Sequence, residues 1–307
     1  MKDNIIKKIY TSAFDVEDKN LKDLIIINTK CLIDDSTQRC VNIDNNRLRD
    51  ELIYYRFYGE KPSYNNILNI LLPVIISNTN IQKSEDEVVE LIQKYVKYLK
   101  KEEYLFEYLL GSVFYNSIIH NLIEDKDIEY KELLQKGKEK LIGFSIDLEK
   151  SNIIKFQMTR INAIQEIDRY IDLKCLEYDE NKILGSILNI LYDIYVEDRE
   201  ECNDGIKSIK KSILSILGND ENLNIDNIDF VVSMSEYIIK LRKYKVNKTK
   251  YSKTADPRSL ISLKEGDTTV DPIFNQIMIV AKSFNDNILN IDIKSKSGIY
   301  TLKFKKS

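Results

Sequence analysis

Residues 74–256 contain no proline, although the 307-residue chain has four, at 62, 73, 257 and 272. Proline is the residue that a helix interior tolerates least, because it removes a backbone donor and clashes with the preceding turn. A proline-free span of this length, filled with apolar residues three and four apart, restricts the chain to a mainly α-helical fold. Val88, Leu91, Ile92, Tyr95 and Leu99 share one face, and Ser84 and Glu87 stand before them at the spacing of a capping box, which predicts a helix over about 84–101. The same spacing recurs in YLFEYLLGSVFYNSIIHNLI (104–123), KELLQKGKEKLI (131–142), Ile153 to about Leu176, ILGSILNILYDIYV (183–196) and IKSIKKSILSIL (206–217). GNDENLNIDN (218–227) supplies a break, since short polar side chains compete for backbone bonds.

Ahead of this span, KNLKDLIIINTKCLI, LRDELIYYRFYG and SYNNILNILLPVIIS also read as helices, the last kinked or ended near Pro73. The expectation is a multi-helix bundle of roughly nine to eleven helices, with antiparallel pairs and no solenoid repeat. After residue 255 alternation replaces the helical period. In ILNIDIKSKSGIYTLKF, Leu289, Ile291 and Ile293 share one face and Tyr300, Leu302 and Phe304 another across KSKSG, which predicts an antiparallel hairpin with Gly298 available for positive φ. A lone hairpin is marginal in water, so FNQIMIVAKSF (274–284) is the expected third strand, unless the hairpin packs on the helices or completes a partner's sheet.

Charge divides the chain at the same place. Residues 1–239 hold 31 Lys or Arg against 43 Asp or Glu, whereas residues 240–307 hold 15 against 6. The organisation read from this is an acidic helical body (1–239), a basic helix end and linker (240–258), and a small basic C-terminal segment with the hairpin (259–307). Such a basic appendage docks on the body's own acidic surface, on a protein partner or on a polyanion. The opening MKDNIIKKIYTSAFDVEDKN has acids close behind its basic residues and no apolar core, so it does not read as a secretory signal. The most apolar run, ILNILLPVIIS, is too short to span a bilayer. An intracellular, cytoplasmic protein is expected.

The stretch KLRKYKVNKTKYSKTADPR is the candidate surface for an anionic partner. Lys240, Arg242, Lys243, Lys245, Lys248, Lys250, Lys253 and Arg258 would contact phosphates, and Tyr244 and Tyr251 would stack on bases. The plainer reading is a solvated connector. EDREE (197–201) offers a carboxylate cluster or an exposed charge run, and YYRFYG (54–59) offers core or interface aromatics, as do Tyr104 and Tyr108. His120, with Ser117 three residues earlier, is the one imidazole available to a general base. Cys31, Cys40, Cys175 and Cys202 form no CxxC pair, which argues against a zinc or dithiol site, and no cofactor is expected. GxxxxGK[ST], GxGxxG, HExxH and GxSxG are all missing.

LIDDSTQ places Asp34, Asp35, Ser36 and Thr37 together, as hard-cation ligands or as a helix break and N-cap. The stretch resembles the DDT/DDS metal motif of the ADP-ribosylglycohydrolases, an all-helical family whose paired magnesium ions sit on such residues. The family's GDALG-type motif is missing, and the nearest match to its GDTD-type motif is GNDEN at 218–222. The resemblance therefore implies a degenerate relative, or a magnesium enzyme that uses Asp34, Asp35 and Ser36.

The leading expectation is a non-enzymatic interaction or assembly protein with a basic C-terminal docking element and a protein partner. An alternative is nucleic-acid binding through residues 240–307, within a ribonucleoprotein or phage-defence assembly. The Ile-, Asn- and Lys-rich composition fits an AT-rich bacterial genome, and with it a structural layer such as a spore coat.

Overall fold

The computed structural model describes residues 2–60, 66–174, 182–197, 203–219, 223–247 and 250–305. Among them are eleven α-helices: α1 (Lys2–Ser12), α2 (Lys19–Cys31), α3 (Asn45–Tyr58), α4 (Asn66–Ser77), α5 (Ile81–Leu99), α6 (Leu105–Glu124), α7 (Tyr130–Gly143), α8 (Lys150–Ile171), α9 (Ile183–Tyr195), α10 (Asp204–Leu217) and α11 (Ile228–Arg242). A two-stranded hairpin, β1 (Leu32–Asp35) and β2 (Cys40–Ile43), follows α2. A four-stranded antiparallel meander closes the chain: β3 (Thr268–Asp271), β4 (Asn275–Asn285), β5 (Ile288–Ser295) and β6 (Gly298–Lys305), in that spatial order. The fold is mainly α with a small C-terminal β segment.

Two helices form the centre of the bundle. In α4 every residue from Ile67 to Ser77 is buried, and α1, α2, α5, α6, α10 and α11 pack around it. In α6 the buried residues run on nearly every face from Phe106 to Ile123, against α5, α7, α8 and α9. A helix apolar all round must be enclosed. Gly137 on α7 permits the close approach to α6, since a Cβ there would lie 2.3 Å from the Phe114 ring.

Several local expectations are corrected. Helix α4 does not end at Pro73 but runs on to Ser77; enclosure by neighbouring helices outweighs the lost backbone bond. The cap of α5 is Asn80, whose carboxamide oxygen accepts from the amides of Gln82 and Lys83 at 2.9 and 3.0 Å, rather than Ser84. Ser84 is buried and bonds Asn116, while Glu87 accepts the Ile43 amide at 2.9 Å. LIDDSTQ is not a helix cap: it forms β1 and the turn to β2, in which Asp35 accepts the amides of Thr37 and Gln38, both at 2.9 Å. The hairpin is held by Asn78, which exchanges two hydrogen bonds with the Val41 backbone at 2.8 and 2.9 Å, as a third strand would. The opening residues, read above only for a signal, form α1 and bury Ile6, Ile9 and Tyr10.

In the C-terminal sheet, Ile293 faces Tyr300, Ile291 faces Leu302 and Leu289 faces Phe304. The two triads thus occupy one face of the sheet instead of two, because antiparallel partners point the same way. FNQIMIVAKSF supplies β4, and Gly298 takes φ +141 at the start of β6, directly after the two-residue turn of Lys296 and Ser297. The buried face of the sheet rests on α3.

Candidate functional site

Helix α3 explains how the sheet is held. Its aromatic run YYRFY points Tyr54, Phe57 and Tyr58 at the sheet, where ring centroids lie 5.8 Å apart for Tyr54–Phe274, 4.9 Å for Phe57–Phe304 and 5.0 Å for Tyr58–Tyr300. Two turns earlier, Arg47 donates to the carbonyls of Pro272 and Ile273 at 3.0 and 2.8 Å. Its guanidinium is fixed by the buried Glu51, which also pairs with Lys30 at 2.7 Å. The Tyr54 hydroxyl donates to Asp271 at 2.9 Å. Buried charges are tolerable only when paired, and Glu51 meets both cations through Oε1, while its buried Oε2 has no hydrogen-bond partner.

The basic stretch leaves α11 and crosses the acidic body as a strap. Asp34 accepts the amides of Val246 and Asn247 at 2.9 and 3.2 Å, Asp44 accepts that of Tyr251, and Asp50 accepts that of Ala255 at 3.1 Å. Asp44 also caps α3 through the amides of Asn46 and Arg47, both at 3.1 Å. Backbone amides of the strap, rather than its lysines, meet these carboxylates. Arg242 donates to the carbonyls of Ile76 and Asn78, each at 2.7 Å, where α4 ends. The Tyr244 hydroxyl donates to the Arg39 carbonyl at 2.8 Å, and Arg47 stacks on the Tyr251 ring at 5.2 Å.

The sequence candidates therefore separate into two groups. Arg242, Tyr244 and Tyr251 are engaged by the body, and Lys243 pairs with Asp3. Lys240, Lys245, Lys250, Lys253 and Arg258 are exposed along the strap, and Lys248 lies outside the described residues. These five cations are exposed, while both tyrosine rings of the stretch are engaged by the body.

The other proposed chemistries meet a different geometry. Asp34 accepts backbone amides through Oδ2 and Asp35 through Oδ1, so one oxygen of each carboxylate serves the backbone, and the buried Asp34 Oδ1 has no hydrogen-bond partner. Among the described residues no three His, Cys, Asp or Glu side chains gather to hold a metal. Asp198, Glu200 and Glu201 of EDREE, residues 220–222 of GNDEN, Cys175 and Cys202 lie outside the described residues, while Cys31 and Cys40 are buried and not joined in a disulfide. Burial, with the charge of Arg242 nearby, pushes His120 down to about 4, which leaves it neutral at pH 7 and a weak base. Ser117 accepts from Asn121 at 3.2 Å, and the buried Nε2 of His120 has no hydrogen-bond partner.

A surface that the sequence reading did not single out is the outer face of the C-terminal sheet. Register aligns Thr268, Met278, Lys294 and Ile299 in one row across all four strands, and all four are exposed. Lys303 and Lys305 continue the face along β6, and Asp292, its one acid, is held by Thr301 at 2.6 Å. The alternation that buries Ile277, Ile279, Ile291 and Ile293 sends Met278 and Lys294 outward. Counting the outward positions as well as the inward ones would have revealed it.

No family model matches the chain, and no solved structure does. A DNA mismatch repair protein MutS from Clostridium botulinum (strain Eklund 17B / Type B) is 30% identical over 124 residues, which is 38% of this chain and 13% of that protein. The match thus spans about an eighth of the length of that relative. No helix among the described residues is long and apolar enough to cross a membrane.

Proposed function

We propose that the chain is a non-catalytic interaction protein whose C-terminal sheet is the docking element, clamped to the helical body by α3 and the strap. The observation that carries this reading is the outer sheet face, where exposed Met278 and Ile299 stand beside Lys294, Lys303 and Lys305. Apolar contacts edged by cations fit a protein surface that pairs apolar side chains with acids. The acidic body cannot itself cover this face, because the face points away from α3. The test compares proteins retained from native lysate, after nuclease treatment, by the full chain and by a Met278→Asp/Ile299→Asp variant. A defined partner lost with the variant supports the reading, and identical retention by both overturns it.

A second reading is nucleic-acid binding along the strap, favoured by the exposed Lys240, Lys245, Lys250, Lys253 and Arg258 and by the partial similarity to a DNA mismatch repair protein. It requires binding that weakens steeply with salt and that Lys245→Glu/Lys250→Glu/Lys253→Glu removes.

A further inference from the structure

The four-stranded sheet has two edges, and the fold treats them differently. Strand β3 covers only the first part of β4, and the rest of that edge is plugged. The Glu265 carboxylate accepts the Lys282 amide at 2.7 Å, and the Lys282 ammonium donates to the carbonyl of Ile261 at 2.8 Å and to that of Leu263. Unpaired strand edges invite other chains, so folds commonly close them in this way. The opposite edge is β6. Its two-residue turn makes Ser295 and Gly298 a bonded pair, so Tyr300, Leu302 and Phe304 exchange hydrogen bonds with β5. By the same alternation Ile299, Thr301, Lys303 and Lys305 turn their amides and carbonyls away from the sheet. Lys19 donates to the Ile299 carbonyl at 2.8 Å and closes the edge where it meets the body. From Thr301 to Lys305 no strand follows, and among the described residues no other backbone group bonds these outward amides and carbonyls.

Donors and acceptors alternating along an edge are satisfied by an extended chain laid beside it. The side chains of Thr301, Lys303 and Lys305 stand on the outer face and are exposed, and a residue paired opposite each of them stands on that same face. The charges of the outer face are Lys294, Lys303 and Lys305 against Asp292, whose carboxylate already accepts the Thr301 hydroxyl at 2.6 Å. None of the three lysines makes an ion pair among the described residues. A strand that fits is therefore acidic at the alternate positions facing Lys303 and Lys305. Its intervening side chains fall on the inner side, next to Leu302 and Phe304, and are apolar. A second copy pairing through the same edge would add two more lysines to the seam, which selects against it. A nucleic acid would answer the lysines, but its phosphates cannot donate to the row of carbonyls.

We propose that β6 accepts an extended segment of the partner, alternating acids with apolar residues, as a further strand of the sheet. This rests on the docking reading and names what the docking sheet binds. The probe is the labelled peptide Glu-Val-Glu-Val-Glu-Val-Glu, titrated against the full chain by fluorescence anisotropy, with Lys-Val-Lys-Val-Lys-Val-Lys as its counterpart. The acidic peptide should bind and slow hydrogen exchange at the amides of Thr301, Lys303 and Lys305. Thr301→Pro removes an edge donor without removing a bond to β5. It should bind the peptide about tenfold or more weakly than Thr301→Val, which releases Asp292 equally but keeps the amide. Lys303→Glu/Lys305→Glu tests the same edge without proline, and should reverse the preference between the two peptides. No saturation by the acidic peptide up to about 1 mM, equal binding of both peptides, equal affinity of Thr301→Pro and Thr301→Val, or unchanged exchange at the edge amides would each overturn the proposal. A lysate partner lost with Met278→Asp/Ile299→Asp but kept in full by Thr301→Pro would also overturn it, and would leave the docking reading standing. A dimer of the full chain that Thr301→Pro abolishes would give the edge to a second copy and overturn it.

Discussion

Glu87 shows how a single side chain departs from what its neighbours in sequence suggest. Its place three residues after Ser84 suggests a capping box, yet the cap lies at Asn80 and Glu87 turns to the second hairpin strand, where its carboxylate accepts the Ile43 amide. Burial there pushes its carboxyl up to about 7, the amide bond opposing only part of the shift. In the unfolded chain the same group titrates near 4.5, so between these values the folded protein holds the extra proton. Its contribution to stability is therefore present below about pH 4.5 and is lost as pH rises through 7. Asp23, raised to about 6 mainly by burial, acts with the same sign, whereas His120, lowered to about 4, acts with the opposite one. Glu87→Gln keeps an acceptor for Ile43 and removes the titration. Urea unfolding should find it more stable than the parent at pH 8, on the order of 1 kcal/mol after discounting for partial solvent screening, and no more stable at pH 4.5.

Among the elements, α7 depends on one atom that is not there. KELLQKGKEKLI predicts a helix at the right place, and on propensity alone alanine would improve position 137 by about 1 kcal/mol. The Phe114 ring, fully buried on α6, lies where the added Cβ would go, so the two helices would have to separate. Gly137→Ala should therefore lower stability by about 1 to 3 kcal/mol, a sign opposite to the helix scale, and a thermal melt decides between them. The C-terminal strands were readable for the converse reason. Period-two alternation is set by the backbone itself, so the two strands and the glycine between them follow from local sequence, whereas the shared face of their apolar triads is fixed by the pairing. LIDDSTQ was misleading because an Asx turn in a hairpin and an N-cap require the same short acids.

At the scale of the whole molecule, two hydrophobic clusters meet at α3. Tyr58 packs against both, touching Tyr55 at 5.3 Å on the helical side and Phe274 and Tyr300 at 5.7 and 5.0 Å on the sheet side. Tyr58→Ala should cost about 3 kcal/mol and uncouple the two. In hydrogen exchange, the amides of Ile277, Ile291 and Leu302 should then lose protection while those of α4 and α6 keep theirs; equal loss in both would show that the coupling runs elsewhere. The sequence by itself determined the helical class, most helix positions, the β hairpin and the charge division, because each depends on periodicity or composition within a short window. Only the tertiary structure decided that the strap meets Asp34, Asp44 and Asp50 through its amides, and that YYRFY is the seat of the sheet. Likewise, only the packed bundle shows that the stripe of Ile154, Met158 and Ile161 faces solvent. These contacts join residues up to about two hundred positions apart, and which carboxylate, ring or helix face remains uncovered depends on what packs against it, which no local pattern records.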